Sequence, residues 1–314
     1  MVMDAPGATV SVVIPNYNRA DAVVAAVQSA LTQDFAPLEV IVIDDGSRDD
    51  SVARLRAIDD PRLVVIAIAN GGAGPARNHG FDVARGDYVA LLDSDDWFLP
   101  NHLSELMAMA DGDLQVAAYS AVKADRGGGR FVVKPPRGIG EEEDMASYLM
   151  CDRGFVQTSG LLVPRAIAAK VRYRADVTFG DDTDFAVRLA LAGCRFRMTR
   201  SPSVIWADDP RDDRLSARGH RAEKVQWLTD LRPHIPERAY RGYFGWHIAK
   251  VVRHTDPMAA FRLYMAALLR GAYSPRLAST VFIQIFLPQR AYRKAADQWI
   301  AWRGKLRGTV VPPA

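Results

Sequence analysis

The stretch "DYVALLDSDDW", residues 87–97, decides the fold. Its apolar run, Tyr88 to Leu92, breaks off into Asp93, Asp95 and Asp96. An apolar run without alternation suits a strand covered on both faces, and such strands belong to parallel sheets. The acidic end needs a reason of its own. Two carboxylates about 6 Å apart cost roughly 3 kcal/mol at an effective dielectric near 20. Parallel sheets bind ligands beyond the carboxyl ends of their strands, so the run predicts a central strand that opens onto a site.

Working outward, "TVSVVI" (9–14), "LEVIVI" (38–43) and "RLVVIAI" (62–68) read as further strands. Asp21 is expected to cap the helix "AVVAAVQSAL", Ser51 opens a second, and "GPARNHGFDVA" gives a third with Pro75 near its first turn. Strand and helix alternate at a spacing that predicts right-handed βαβ units, hence an α/β chain with a parallel sheet flanked by helices. After Asp96 the pattern loosens. "FLPNHLSELMAMA" reads as a helix, and "LQVAAYSAVKADRGGGRFVVK" as a hairpin turning at Gly127 to Gly129. "EEEDMASYLM" starts another helix, "SGLLVP" is a strand, and "TDFAVRLALAG" is a helix closed by Gly193. From about residue 216 the patterns are helical throughout, in "GYFGWHIAKVVRH", "PMAAFRLYMAALLRG" and "RLASTVFIQIFLPQRAYRKAADQWIAWRGK". The expected domains are 1–215, catalytic, and 216–314, a basic amphipathic helical region.

At 314 residues, 49% hydrophobic and 25% charged, the chain has the composition of an ordinary globular protein. Its net charge of +3 hides a split: residues 211–314 hold 19 Lys and Arg against 7 Asp and Glu, leaving the rest net acidic. Two cysteines, Cys151 and Cys194, make no disulfide framework and suit a reducing cytosol. "MVMDAPGATV" lacks a basic and then apolar leader, and no apolar run reaches the length of a membrane span. The expected location is therefore cytoplasmic.

Four strand ends carry polar residues that would converge if the strands are parallel neighbours: "IPNYNR" with Pro15 and Tyr17, "IDDGSRDD" with Asp45, "NGGAGPARNHG" with Arg77, and "DSDD". Tyr17 offers a ring for a base to stack on, Asp45 an acceptor for a base N–H, and Arg77 a fork of donors. Asp93 and Asp95, two apart, point the same way in extended geometry. Paired carboxylates of this kind take Mg²⁺ or Mn²⁺ together with substrate phosphates. Each motif alone has a plainer reading. Asp44-Asp45-Gly46 suits a turn, Asp93 to Asp96 a helix cap or solvated loop, and Arg77 a surface helix. "GAGPAR" is not the full dinucleotide fingerprint.

Taken in order, "SVVIPNYNR", "EVIVIDDGSRDDS", "NGGAGPARNHG", "GDYVALLDSDDWFLP" and "FGDDTDFAVRLALAG" resemble the inverting glycosyltransferases of family 2, which have the GT-A fold. The resemblance covers residues 9 to 206. It implies that Pro15, Tyr17, Asp45, Arg77 and Asp93 bind the nucleotide. Asp95, with Asp93, would hold Mn²⁺ or Mg²⁺. Asp182, second of the pair Asp181-Asp182, would be the catalytic base, and a carboxylate at a helix start is electrostatically comfortable. Asp96, Trp97 and Asp181 are candidates for contacts to the donor sugar or the acceptor. The implied reaction is metal-dependent, inverting transfer from a nucleotide-diphosphate sugar, UDP foremost, to a glycan or lipid-linked hydroxyl in surface-polysaccharide synthesis. One departure stands out. Many relatives carry a Tyr-Arg-x-His segment after the last core strand. This chain has "IWADDPRDDRLS", with Trp206 for the aromatic and Asp208 or Asp209 near the place of the histidine.

The basic C-terminal helices suit a cap on the catalytic domain, a homodimer interface, or a peripheral contact with the inner face of a membrane. No nucleic-acid motif accompanies the charge. Two other functions compete. A sugar nucleotidyltransferase would want a Gly-rich basic loop after the first strand, which "PNYNRAD" does not supply. A silent nucleotide-sugar-binding scaffold would have no need of the intact Asp-x-Asp and Asp182.

Overall fold

A computed structural model describes residues 7–127, 130–177, 179–199, 201–208 and 221–287. The chain groups into two compact units, residues 1–149 with 153–223, and residues 150–152 with 224–314.

The first unit begins with the expected alternation: β1 (Val10–Asn16), α1 (Ala20–Leu31), β2 (Glu39–Asp44), α2 (Ser51–Arg56), β3 (Leu63–Ala67), α3 (Ala73–Val83) and β4 (Tyr88–Leu91). β1 lies parallel between β2 and β4, and β2 pairs in parallel with β3. Every residue of β1, β2 and β4 is buried, because helices cover both faces. That is why their sequences do not alternate. α3 approaches β1 closely: a Cβ on Gly80 would stand 2.3 Å from Val13 Cγ1. The cap of α1 differs from expectation. Arg19 holds the N-cap position, while Asp21 lies inside the first turn, exposed, and pairs with Arg54.

The unit continues through β5 (Trp97–Phe98), α4 (His102–Ala110), β6 (Val116–Tyr119), β7 (Val122–Asp125), β8 (Phe131–Lys134), α5 (Met145–Cys151), β9 (Leu161–Pro164), α6 (Arg165–Val171), α7 (Asp181–Leu191), β10 (Arg195–Met198) and β11 (Val204–Ala207). Seven strands form one sheet in the order β10-β6-β9-β4-β1-β2-β3, and four form a second in the order β5-β11-β7-β8. β9 runs antiparallel to both its neighbours, so the large sheet is mixed. The expected hairpin over 114–134 is divided. β6 joins the large sheet beside β9 and β10, and only β7 and β8 pair as a hairpin. The burial patterns give the reason. β6 is buried throughout, whereas β7 and β8 alternate, as strands with one covered face do. Of the expected turn residues, Gly128 and Gly129 lie outside the described residues. The segment after Asp96 is likewise divided: Trp97 and Phe98 form β5, and the helix starts at His102.

The second unit holds α8 (Arg221–Leu231), α9 (Glu237–Tyr243), a π-turn over Phe244–Ile248 leading into α10 (Ala249–Val252), α11 (Pro257–Leu268) and α12 (Pro275–Phe286). α11 and α12 open alike: Asp256 accepts the Ala259 N–H, Ser274 accepts the Leu277 N–H, and a proline takes the first helical position of each. Gly245 lets the π-turn meet α11, since a Cβ there would stand 2.4 Å from that of Ala267. Trp227, Tyr243, Trp246, Tyr264 and Tyr273 are buried in this unit. The helical pattern expected beyond Leu287 lies outside the described residues. Among the described residues no helix is long and apolar enough to cross a membrane. Cys151 and Cys194 are both buried.

Candidate active site

The ends of β1 and β2 are tied together by short polar side chains. Asn16 Nδ2 donates to Asp44 Oδ1 (2.8 Å), and Asp44 accepts from the N–H and hydroxyl of Ser47. Asn18, with φ +51°, donates its N–H to Ser47 Oγ and accepts the Arg48 N–H. Left-handed backbone of this kind suits asparagine. Pro15, a nucleotide-binding candidate, is a buried member of β1 opposite Ile43. Tyr17, just past the end of β1, is 44% exposed.

Asp45 is buried and fastens the loop that leads into α3. Its Oδ1 accepts the Gly71 N–H (2.7 Å), and its Oδ2 accepts the Gly72 N–H (2.8 Å) and Asn70 Nδ2 (3.0 Å). Gly72, the residue before α3, has φ +98°, open to glycine and closed to most other residues.

α3 then delivers Arg77, a nucleotide-binding candidate by resemblance whose plainer reading is a surface helix residue. It is 4% exposed. Its Nη2 donates to Asp93 Oδ1 and its Nη1 to Asp181 Oδ2, both at 2.7 Å. The guanidinium carbon lies 4.8 Å from the centre of the Tyr173 ring. Burial works against its charge, but Asp93 and Asp181 outweigh that and hold the guanidinium firmly protonated. One arginine thus bridges the end of β4 to the start of α7.

The cluster beyond β4 is a turn, not the extended run expected. The Asp96 N–H donates to the Asp93 carbonyl (3.0 Å). Asp93 and Asp95 are therefore not held by one partner. Asp93 is taken by Arg77, and Asp95 Oδ2 by Arg19 Nη1 at 3.0 Å. Asp96 does not cap the next helix. It is 2% exposed. Its Oδ2 accepts from Ser159 Oγ (2.6 Å) and Gln157 Nε2 (2.9 Å), and its Oδ1 accepts the Ala207 N–H (2.9 Å). Ser159 Oγ also accepts the Asp93 N–H. Burial first, then Asp93 and Asp95, push Asp96 well above the usual carboxylate range. Asp93 is raised by burial against the pull of Arg77. Thus Asp93 and Asp95 are answered by cations and Asp96 by neutral donors, which offsets the repulsion implied by the sequence.

α7 starts at Asp181 after Gly180, whose φ is +57°. Asp181 turns to Arg77, and Asp182 Oδ1 accepts the Thr183 N–H (2.7 Å). Asp182 is pushed up to about 7, by burial and then by Asp181, with Asp93 adding and Arg77 opposing. Asp184, next in the same acidic run, is buried and paired with Arg188, which also donates to the Val171 carbonyl. Trp97 lies exposed in β5 opposite Ile205.

Sequence reading missed Arg19, Tyr173, Gln157 and Ser159. Arg19 carries a signal in hindsight, as a cation directly after the first strand. The other three lie in segments without a motif. At the place expected for a histidine stands Asp208, buried, with its Oδ2 3.7 Å from both Arg126 Nε and Lys134 Nζ. Lys134 Nζ lies 4.7 Å from the centre of the Trp206 ring. Asp209 lies outside the described residues. Among the described residues no group of three or more His, Cys, Asp or Glu could hold a metal ion by itself. Two hard carboxylates, Asp93 and Asp95, do fit Mg²⁺ or Mn²⁺ when substrate phosphates and water complete the shell.

A family model described as "Glycosyl transferase family 2" matches residues 11–170. The amylovoran biosynthesis glycosyltransferase AmsB of Erwinia amylovora is 31% identical over 252 residues, covering 74% of this chain and 82% of that protein. The Escherichia coli enzyme WfaP, named UDP-Glc:alpha-D-GlcNAc-diphosphoundecaprenol beta-1,3-glucosyltransferase, is 36% identical over 113 residues. That match covers 35% of this chain and 45% of WfaP, less than half of either. In fold, the chain is similar to S. aureus TarS 1-349 in complex with UDP-GlcNAc, with a TM-score of 0.61 at 18% identity, over 90% of this chain and 82% of that one.

Proposed function

The chain belongs to glycosyl transferase family 2, with the GT-A fold and the activity of a glycosyltransferase, and on that premise we propose that it moves a sugar from a UDP-sugar to a hydroxyl of a glycan or lipid-linked acceptor, with inversion, in surface-polysaccharide synthesis. The observation that carries the site assignment is the Arg77 bridge. It ties Asp181 to Asp93, and so holds Asp182, raised to about 7, electrostatically beside the turn that ends β4. A carboxylate poised there is a far better proton acceptor at neutral pH than an ordinary aspartate.

In this reading Asp182 takes the proton from the acceptor hydroxyl as its oxygen bonds to the anomeric carbon. The bond from that carbon to the diphosphate breaks on the opposite face, and its electron pair leaves with the β-phosphate. One displacement inverts the configuration. Asp95 and Asp93 would hold Mn²⁺ or Mg²⁺, which when bound supplies positive charge to the leaving diphosphate. Arg77 keeps Asp93 and Asp181 in place. Asp45 anchors the Asn70–Gly72 loop that, with the Tyr17 ring, would flank the base. WfaP, named for a UDP-Glc donor, and TarS, solved with UDP-GlcNAc bound, favour UDP for the donor here. The name of WfaP also favours a lipid-linked acceptor, which would place the reaction at the inner face of the cell membrane.

The test is a panel of UDP, GDP, CDP and TDP in thermal shift with and without Mn²⁺, followed by transfer assays of Asp182→Asn. UDP alone should stabilise, more so with Mn²⁺, and the variant should keep UDP binding while losing transfer. Loss of UDP binding in Asp182→Asn would give Asp182 a structural role instead.

A further inference from the structure

In the second unit, α11 and α12 bury one face of each helix, through Ala260, Tyr264 and Ala267 on the first and Leu277, Ala278, Val281 and Ile285 on the second. Their other faces are also apolar. Met258 is 60% exposed, Phe261 42% and Phe282 41%, with Ile283 and Leu287 exposed beside them. The phenylalanines among them are contiguous. Phe286 is half-buried between the helices, its ring 6.4 Å from that of Phe261 and 4.8 Å from that of Phe282. Large apolar side chains gathered on a surface mark an interaction site, unlike single ones scattered over it.

Apart from Asp256, whose side chain caps α11, the charge on these two helices is of one sign. From Pro257 through Leu287 the sequence has no Asp or Glu, while Arg262, Arg270 and Arg276 are exposed on the same two helices and the turn between them. Arg253 Nη1 donates to the Phe286 carbonyl at the end of α12. Residues 288–314 of the sequence carry six further basic residues against one acidic. A second copy seated on this face about a twofold axis would set arginine against arginine, with Asp256, engaged as the α11 cap, the one acidic residue on either helix or its cap. An anionic bilayer answers both features at once, since its headgroups pair with the guanidinium groups and its acyl boundary takes the phenylalanines.

We propose that the α11–α12 face, through Met258, Phe261, Phe282, Ile283 and the flanking arginines, docks on an anionic lipid surface. The inference rests on this unit alone and stands apart from the reading of the active site.

Flotation of the full chain with phosphatidylcholine vesicles, with and without phosphatidylglycerol, tests it. Binding should require phosphatidylglycerol and weaken with added salt. Phe261→Ser with Phe282→Ser should reduce the bound fraction about tenfold, as should Arg262→Glu with Arg270→Glu, which keeps the apolar residues. UDP affinity, measured in parallel, should not change in either pair. The inference is overturned if the protein stays off anionic vesicles or if both double variants bind as the parent does. It is equally overturned if light scattering finds a dimer that the phenylalanine pair dissolves while lipid binding stays unchanged.

Discussion

Replacing Arg77 with Met keeps much of the stem and removes the bridge. The buried guanidinium makes two hydrogen bonds of 2.7 Å to Asp93 and Asp181, whose side chains are about a quarter to a third exposed. Removing one partner of a buried pair costs about 3–5 kcal/mol. Because both carboxylates reach solvent, the expected loss is nearer 2–4 kcal/mol, a large share of a typical total. The loss should also depend on pH. Asp93 is already raised by burial, with Arg77 opposing, so removing Arg77 raises it further. A carboxylate whose folded pKa exceeds its unfolded one binds its proton more readily when folded, so stability falls as pH rises from the unfolded value through the folded one. The destabilisation should therefore be largest near pH 8 and shrink toward about pH 5. Urea unfolding followed by tryptophan fluorescence at both pH values measures it. Arg77→Lys, a point charge able to serve one carboxylate, should recover only part of the loss. A loss below about 1 kcal/mol, or one independent of pH, would refute the bridge as the tie between β4 and α7.

Asp182 must be ionised to accept a proton, so transfer should fall as pH drops through about 7, and a pH profile of kcat/KM reads that limb directly. Asp182→Asn should lower kcat by about 10²–10⁴ while raising the melting temperature above neutral pH, because it removes a charge that the fold disfavours. Asp95→Ala should weaken UDP binding in Mn²⁺ and leave it unchanged in EDTA, as calorimetry would show. Arg19→Ala should tighten Mn²⁺ binding in the presence of UDP, since Arg19 pairs with Asp95 at 3.0 Å, and paramagnetic resonance of Mn²⁺ measures this without any turnover. Gly80→Ala should cost about 1–3 kcal/mol, because the new methyl meets Val13 at 2.3 Å, and thermal unfolding would show it.

The large sheet was legible because β1, β2 and β4 carry continuous apolar runs, a signature that does not depend on distant partners. The acidic ends of β2 and β4 were legible because they sit where such runs stop, whereas Asp181-Asp182 was reached through the family resemblance. What was hidden depends on contacts remote in sequence. Arg77 reads as a surface residue within "GPARNHG", and only Asp93 and Asp181, 16 and 104 positions away, make it a buried clamp. Asp93 and Asp95 were read as extended neighbours, but one backbone hydrogen bond closes them into a turn. The division at Ser120 and Ala121 was present in the letters: "VAAY" is apolar throughout and "VKAD" alternates. A hairpin signal from the glycines masked the change of period. Tyr173, Gln157 and Ser159 gave no signal, because a hydrogen bond from an isolated polar residue has no period.

The carboxylate of Asp96 receives Ser159 and Gln157 on one oxygen and the amide of Ala207 on the other, while Ser159 holds the amide of Asp93. A strand of the small sheet is thereby riveted to the turn leaving the large one through a single side chain. The two sheets cannot fray in sequence at this point, because loosening either one leaves a buried carboxyl group without its hydrogen-bond partners. The amide protons of Ala207 and Asp93 should exchange with solvent through one shared opening, at matching rates, as members of one cooperative unit.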